Sequence, residues 1–150
     1  MSKIIKKIIC LSLIFIITGC TKSNQQTTQY PFFTIQLFYL DDCGSCNAFK
    51  NNALPAIRET FNNNFNIEYY NLDLEENEQR YIQITEQLEN YDEEYLLNTP
   101  FIVVDNKFAV VGYSKNEETE LIKEIKRALN NEPLGEYYKI GRYTFKGETS

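Results

Sequence analysis

Two cysteines separated by two residues carry the clearest chemical signal in this 150-residue chain. The run Cys43-Gly44-Ser45-Cys46 follows a predicted strand and opens a predicted helix. A helix N-terminus presents unpaired N–H groups and a partial positive charge, and both favour a thiolate. We therefore expect the pKa of the Cys43 thiol to be lowered. The spacing also allows a disulfide across one tight turn, and such a dithiol can resolve a mixed disulfide.

The composition excludes several other kinds of chemistry. The chain has four Cys and no His, so it can form neither a Ser-His-Asp triad nor a Cys-His protease pair. The absence of His also excludes His-containing zinc sites and a haem-ligating His. Lys and Arg number 15 against 21 Asp and Glu, a formal net charge of −6. That balance argues against a nucleic-acid-binding protein, because binding phosphates takes a basic face.

Residues 1–20, MSKIIKKIICLSLIFIITGC, have the features of a targeting segment. Three Lys precede an apolar run of about ten residues, which is too short for a comfortable membrane span of about twenty. The segment ends in Ile-Thr-Gly-Cys20 and resembles the lipobox of bacterial lipoproteins. The resemblance implies a signal peptide over 1–19 and a lipid on Cys20. An uncleaved anchor helix is the alternative, and either places the domain on the extracytoplasmic face of the membrane, since the basic flank stays inside.

Cleavage before Cys20 would change the charge and organisation of the chain. It removes Cys10 and three Lys, and leaves 12 basic against 21 acidic residues, a net charge of −9. Residues 20–31 are then the lipidated Cys and a polar, flexible spacer. We expect one folded domain over 32–132 and a C-terminal extension over 133–150.

The folded part alternates predicted strands and helices. Apolar runs predict strands over 32–40, 66–74, 100–104 and 107–113, and a two-residue hairpin turn at Asp105-Asn106 joins the last two. Periodic apolar positions predict helices over 46–61, 75–91 and 114–130, with Asp41-Asp42 as helix-start residues and Ser114 and Glu117 as a capping box. Pro55 should kink or divide the first helix. Four tyrosines on predicted buried or half-buried faces are expected to pack in the core: Tyr69, Tyr70, Tyr81 and Tyr91.

The order β-α-β-α-β-β-α predicts an α/β domain with a four-stranded mixed sheet flanked by helices. The first two strands should be parallel, because a helix joins them, and the last two antiparallel. The aromatic residues of 134–150 suggest that this extension docks as a strand or strap.

The strand, the C-G-S-C run, the helix and the Asn98-Thr99-Pro100 turn before a hairpin resemble the thioredoxin-like superfamily over residues 32–130. The resemblance implies a minimal glutaredoxin-like core. It implies that Cys43 is the nucleophile that attacks a substrate disulfide and that Cys46 is the resolving thiol. It further implies that Pro100 is cis and lies beside the disulfide, and that Thr99 and Pro100 shape a substrate groove. Gly44, Ser45 and the neighbouring Asp42 would tune the reduction potential.

The sequence departs from this family at two positions. Thioredoxins usually carry an aromatic residue before the first Cys, where this chain has Asp42. They often hold a buried acid six residues before that Cys, where this chain has Leu37. Asp41 or Asp42 could replace the acid, but a carboxylate beside Cys43 would oppose its thiolate.

The C-x-x-C pair also has interpretations outside catalysis. A zinc site needs four ligands, which only carboxylates could complete here. A purely structural disulfide fits an oxidising compartment, although a bond closing so small a loop adds little chain-entropy stability. The superfamily's copper chaperones pair two Cys with a distant His, which this chain lacks.

The resemblance implies an enzyme, a thiol–disulfide oxidoreductase that acts on protein disulfides with no cofactor beyond the Cys43–Cys46 pair. Strong oxidants of the family place a His between the cysteines, and this chain has Gly-Ser there. A less stabilised thiolate means a more stable disulfide, so we favour a reductase. Its partners would be exported proteins with Cys or disulfides and a membrane electron donor or acceptor, with no nucleic acid, and we expect a monomer. The alternative is a non-catalytic binding or accessory lipoprotein of the same fold.

Overall fold

The computed structural model describes residues 29–136 and 141–147 of the chain. The predicted signal peptide and the predicted lipidation site, Cys20, lie outside these residues. Within them the strands are β1 Phe33–Tyr39, β2 Phe65–Asn71, β3 Phe101–Val104, β4 Phe108–Val111 and β5 Arg142–Thr144. The helices are α1 Gly44–Ala48, a π-helical stretch Phe49–Ala53, α2 Leu54–Thr60, α3 Glu75–Thr85, a 3₁₀ turn Glu93–Tyr95 and α4 Glu118–Leu129. None of these helices is long and apolar enough to cross a membrane.

The described strands form one mixed sheet in the order β2-β1-β3-β4-β5. β1 and β2 are parallel over their full length, while β3 runs antiparallel to both β1 and β4. The predicted strand directions are therefore confirmed. The predicted number of strands is wrong, because Arg142–Thr144 pairs antiparallel with β4 and makes a fifth. The extension thus docks as a strand over these three residues, too few to produce a hydrophobic period of their own.

Helices cover both faces of the sheet, and each face has its own apolar cluster. On one face Ile35 and Leu37 pack with Ile57 of α2 and Ile125 of α4. On the other face Phe38, Phe101 and Val103 pack with α3. All four residues of β3 are buried, which explains why it has a continuous apolar sequence.

The first helix changes its hydrogen-bonding pattern immediately before a proline. Pro55 has no N–H with which to bond the carbonyl four residues earlier, and the π-helical stretch ends two residues before it. The Asn52 side chain of this stretch donates at 2.8 Å to the carbonyl oxygen of Ala48, the last residue of α1. The predicted kink or division therefore takes the form of a local π-helix between α1 and α2.

The other two helices are shorter than predicted. α3 ends at Thr85, because Leu88 forms an isolated bridge with Phe145 and the Glu89 N–H donates to the Thr144 carbonyl oxygen at 2.8 Å. α4 begins at Glu118. The predicted capping box is wrong, because the helix has no side-chain cap and Glu117, not Ser114, stands at its N-cap. The Ser114 N–H does donate to the Glu117 carboxylate, at 2.8 Å, in the turn before the helix.

A buried ion pair joins the C-terminal strand to α4. Glu124 is only 2% exposed, and its carboxylate accepts from Arg142 Nη1 at 2.8 Å and from the Gly135 N–H at 2.9 Å. Arg142 also donates to the Gly135 carbonyl. A side chain at Gly135 would collide with the Glu124 carboxylate. Gly135 therefore contacts this carboxylate through its backbone N–H, beside the Arg142 guanidinium.

Candidate functional site

Cys43 and Cys46 form a disulfide with an S–S distance of 2.04 Å and a Cα–Cα distance of 5.2 Å. The pairing that the sequence allows is therefore present. Cys43 is half-buried, whereas Cys46 is fully buried. The two sulfur atoms consequently differ in their access to solvent, and Cys43 is the more accessible.

Cys43 itself caps the helix. Its Sγ accepts the Cys46 N–H at 3.0 Å, and its carbonyl accepts the Asn47 N–H at 3.1 Å. Asp41 and Asp42 were expected to start the helix, and that expectation is wrong. They form an exposed turn, which the Cys43 N–H closes by donating to the Leu40 carbonyl at 3.2 Å. A sulfur thus occupies the place where a helix usually receives a side-chain oxygen.

The Thr99–Pro100 peptide lies at the same end of the sheet as the disulfide. β3 runs antiparallel to β1 with Phe38 opposite Phe101, so the start of β3 adjoins the end of β1 that leads to Cys43. The Thr99–Pro100 bond is cis and Pro100 is buried. Within the described part of the chain, neither the N–H nor the C=O of Thr99 has a hydrogen-bond partner. Thr99 therefore offers an unused donor and an unused acceptor close to the cysteine loop.

The remaining predicted site residues surround the disulfide at the surface. Gly44 and Ser45 are exposed in the first turn of α1, and Asp42 is exposed in the turn before it. The Asp41 carboxylate accepts from the Asn71 side chain at 3.4 Å. These carboxylates place negative charge beside the cysteine loop, and neither forms an ion pair with a Lys or Arg of the described residues.

The position expected for a buried acid is apolar. Leu37 is fully buried in the sheet. Among the described residues the buried charged side chain is Glu124, and it is paired with Arg142. Neither Asp41 nor Asp42 can act as a buried acid, since both are exposed. A proton on Cys46 would therefore have to reach solvent or the substrate without such a carboxylate.

Two tyrosine hydroxyls hold the loop that leads to Thr99. These hydroxyl contacts were not predicted from the sequence. The Tyr81 and Tyr91 hydroxyls lie 2.8 Å apart. Tyr81 lies 3.1 Å from the Tyr95 carbonyl oxygen and 3.3 Å from that of Asn98, and Tyr91 lies 2.9 Å from that of Tyr95. Burial raises the pKa of both hydroxyls above the ordinary tyrosine value, so both remain protonated at neutral pH. The predicted core position is confirmed for Tyr81 and is wrong for Tyr69, which is exposed. Two partners of the Tyr81 hydroxyl are backbone carbonyls, and such partners leave no sequence signal.

Neither metal ligands nor known relatives add a further constraint. Across residues 29–136 and 141–147, no group of three or more His, Cys, Asp or Glu side chains could hold a metal ion. No family model, no curated protein and no solved structure matches the chain. The geometry around the Cys43–Cys46 disulfide is therefore the basis for assigning a function.

Proposed function

We propose that this chain is a thioredoxin-like thiol–disulfide oxidoreductase, held at the extracytoplasmic face of a bacterial membrane by a lipid on Cys20. The observation that carries the proposal is the disulfide at a helix start, with a half-buried Cys43 and a buried Cys46. The mixed sheet with helices on both faces is compatible with that fold. The fifth strand is an addition to the minimal core. Thr99 supplies backbone groups that a substrate strand can pair with.

The reaction would proceed from the reduced dithiol in two exchanges. The Cys43 thiolate attacks one sulfur of a substrate disulfide, and the other substrate sulfur leaves as a thiolate that takes up a proton. The Cys46 thiolate then attacks Cys43 Sγ, which releases the second substrate thiol and forms the Cys43–Cys46 bond. Two electrons pass from the dithiol to the substrate. An exported or membrane-bound dithiol donor would return the pair to its reduced form by the same exchange.

The surroundings of Cys43 favour a reductase over an oxidant. The Cys46 N–H that donates to Cys43 Sγ in the disulfide is placed to donate to a thiolate there as well. Against this, Asp41 and Asp42 lie in the turn before it, and no His is present in the chain. A poorly stabilised thiolate makes the disulfide harder to reduce, so the couple becomes more reducing. A reduction potential close to that of the strongest oxidants of the family, about −120 mV, would contradict this direction.

A second candidate is a binding or accessory protein that keeps the groove without turnover. The buried Leu37 favours it, because no buried carboxylate then assists the resolving thiol. In this alternative Cys43–Cys46 is a structural disulfide, and partners are held by the surface around Thr99 alone.

A turnover experiment separates the two candidates. The full chain is assayed for reduction of insulin disulfides with dithiothreitol as the electron source, and the wild type is compared with Cys43→Ser. We expect the variant to fall to the uncatalysed rate, because it lacks the attacking thiol. Equal rates of insulin reduction for the two proteins would refute the proposed enzymatic activity. Cys46→Ser should accumulate mixed disulfides with substrate proteins, since the resolving thiol is gone, and Cys43→Ser serves as its control.

A further inference from the structure

The loop before Thr99 is held by the hydroxyls of Tyr81 and Tyr91, which contact its carbonyl oxygens. Tyr81 lies on α3 and is fully buried. Its hydroxyl and that of Tyr91 approach the carbonyl oxygens of Tyr95 and Asn98. Each hydroxyl has one proton to donate. Of the two, only Tyr81 reaches the Asn98 carbonyl, so removing the Tyr81 hydroxyl leaves that carbonyl without a hydrogen-bond donor among the described residues.

The loop depends on these contacts, because its backbone includes an unfavourable conformation. Leu97 has a φ of 59°, in the left-handed region where side chains other than Gly are strained. Such a conformation persists only when its surroundings over-determine it. The Asn98 N–H donates to the Tyr95 carbonyl at 3.0 Å across this residue, and the tyrosine hydroxyls hold the carbonyls on both sides of it.

The Asn98 carbonyl and the Thr99 N–H belong to the same peptide unit. This bond is trans, since the cis bond found among the described residues is the next one. A planar trans peptide directs its C=O and N–H in opposite directions. With the Asn98 carbonyl directed at the buried Tyr81 hydroxyl, the Thr99 N–H is directed away from it. That N–H has no acceptor in the described part of the chain.

We propose that Tyr81 and Tyr91 are positioning residues for substrate binding, which orient the Asn98–Thr99 peptide so that the Thr99 backbone can pair with an extended segment of a substrate protein. The inference rests on the proposed function, since it names how that site would hold its substrate. The tyrosines do not touch the sulfur atoms in this role. They should therefore affect peptide substrates and leave the redox chemistry of Cys43 and Cys46 unchanged.

The test compares Tyr81→Phe with wild type in the full chain, using one substrate with a peptide backbone and one without. Insulin is the first, and hydroxyethyl disulfide is the second. Loss of one or two substrate hydrogen bonds should raise KM for insulin about ten-fold, with kcat within about two-fold. The rate with hydroxyethyl disulfide and the Cys43–Cys46 potential in glutathione buffers should not change. Tyr70→Phe is the matched control, because its hydroxyl donates to the Glu68 side chain at 2.7 Å and to no loop carbonyl.

Three outcomes would overturn the inference. An unchanged KM for insulin is one, and an equal loss with both substrates is another, since that would indicate general damage to the fold. The third is an amide resonance of Thr99 in ¹⁵N NMR that is the same in Tyr81→Phe as in wild type. This resonance is read without any turnover. If wild type fails to reduce insulin, the proposed function fails, and a shift of the Thr99 resonance in Tyr81→Phe but not in Tyr70→Phe still supports the orienting role of Tyr81.

Discussion

Replacing Arg142 by Met should destabilise the protein far more than the loss of a surface ion pair. Arg142 donates to the Glu124 carboxylate at 2.8 Å, and the exposed fractions of the two side chains are 16% and 3%. Removing one partner of a buried pair costs about 3–5 kcal/mol, because the other charge is left uncompensated. Glu124 would keep the Gly135 N–H. We therefore expect the free energy of unfolding to fall by about 2–4 kcal/mol.

The assay is urea and thermal unfolding followed by circular dichroism, with the disulfide intact in all variants. A loss of about 3 kcal/mol should lower Tm by about 10 °C in a domain of this size. The matched control is Lys123→Met on the same helix. It removes an ion pair of 2.7 Å whose side chains are 56% and 30% exposed. That change should cost less than about 1 kcal/mol.

A double variant tests whether the uncompensated charge is the cause. Glu124→Leu combined with Arg142→Met removes both charges, so it should be at least about 1 kcal/mol more stable than Arg142→Met alone. Two results would refute the reasoning. One is an Arg142→Met variant as stable as Lys123→Met, and the other is a double variant no more stable than Arg142→Met.

Two further predictions concern a turn and the anchor. Burial raises the pKa of Asp105 above its ordinary 3.8, against the lowering effects of the Thr34 N–H and the Lys107 charge. The stability that this group contributes is present below pH 3.8 and is lost as pH rises through the raised pKa. In urea unfolding from pH 3 to 7, Asp105→Asn should not show this loss, because its side chain does not titrate and still offers an acceptor for the Thr34 N–H. Identical pH profiles for the variant and wild type would contradict the prediction. Cys20→Ser should move the chain from the membrane fraction to the soluble fraction of cells, and retention in the membrane fraction would contradict lipid anchoring.

Local patterns were sufficient to predict most of the sheet. β3 is a central strand whose residues are all buried, so its sequence is a continuous apolar run that a short window can recognise. β1 is also central, and its sequence FTIQLFY is mostly apolar, aromatic or β-branched. The directions follow from whether a helix or a hairpin joins two strands. The Asn run after α2 contains two residues in the left-handed conformation, Asn62 and Asn63, which is the reason that this run ends the helix there.

The features of the fold and of the site that local patterns did not predict depend on contacts between segments that are distant in the chain. α3 stops at Thr85 because the residues after it pair with the C-terminal segment, although the apolar period continues to Tyr91. The cysteine loop and Thr99 were predicted from motifs, and the sheet places them at one end. The hydroxyl of Tyr81 was not predicted, because a tyrosine on an apolar helix face looks the same whether or not backbone carbonyls lie above it.

The position of β5 in the chain also bears on the order in which this protein can fold. β5 follows β1 to β4 and α4 in the chain, so Glu124 lacks the Arg142 guanidinium until β5 has docked. Before β5 docks, the chain carries an uncovered strand edge along β4 and a carboxylate whose burial is costly, and both disfavour premature packing of α4 onto the sheet. Docking of β5 therefore covers the edge of β4 and completes the ion pair in one step, whatever the state of the cysteines.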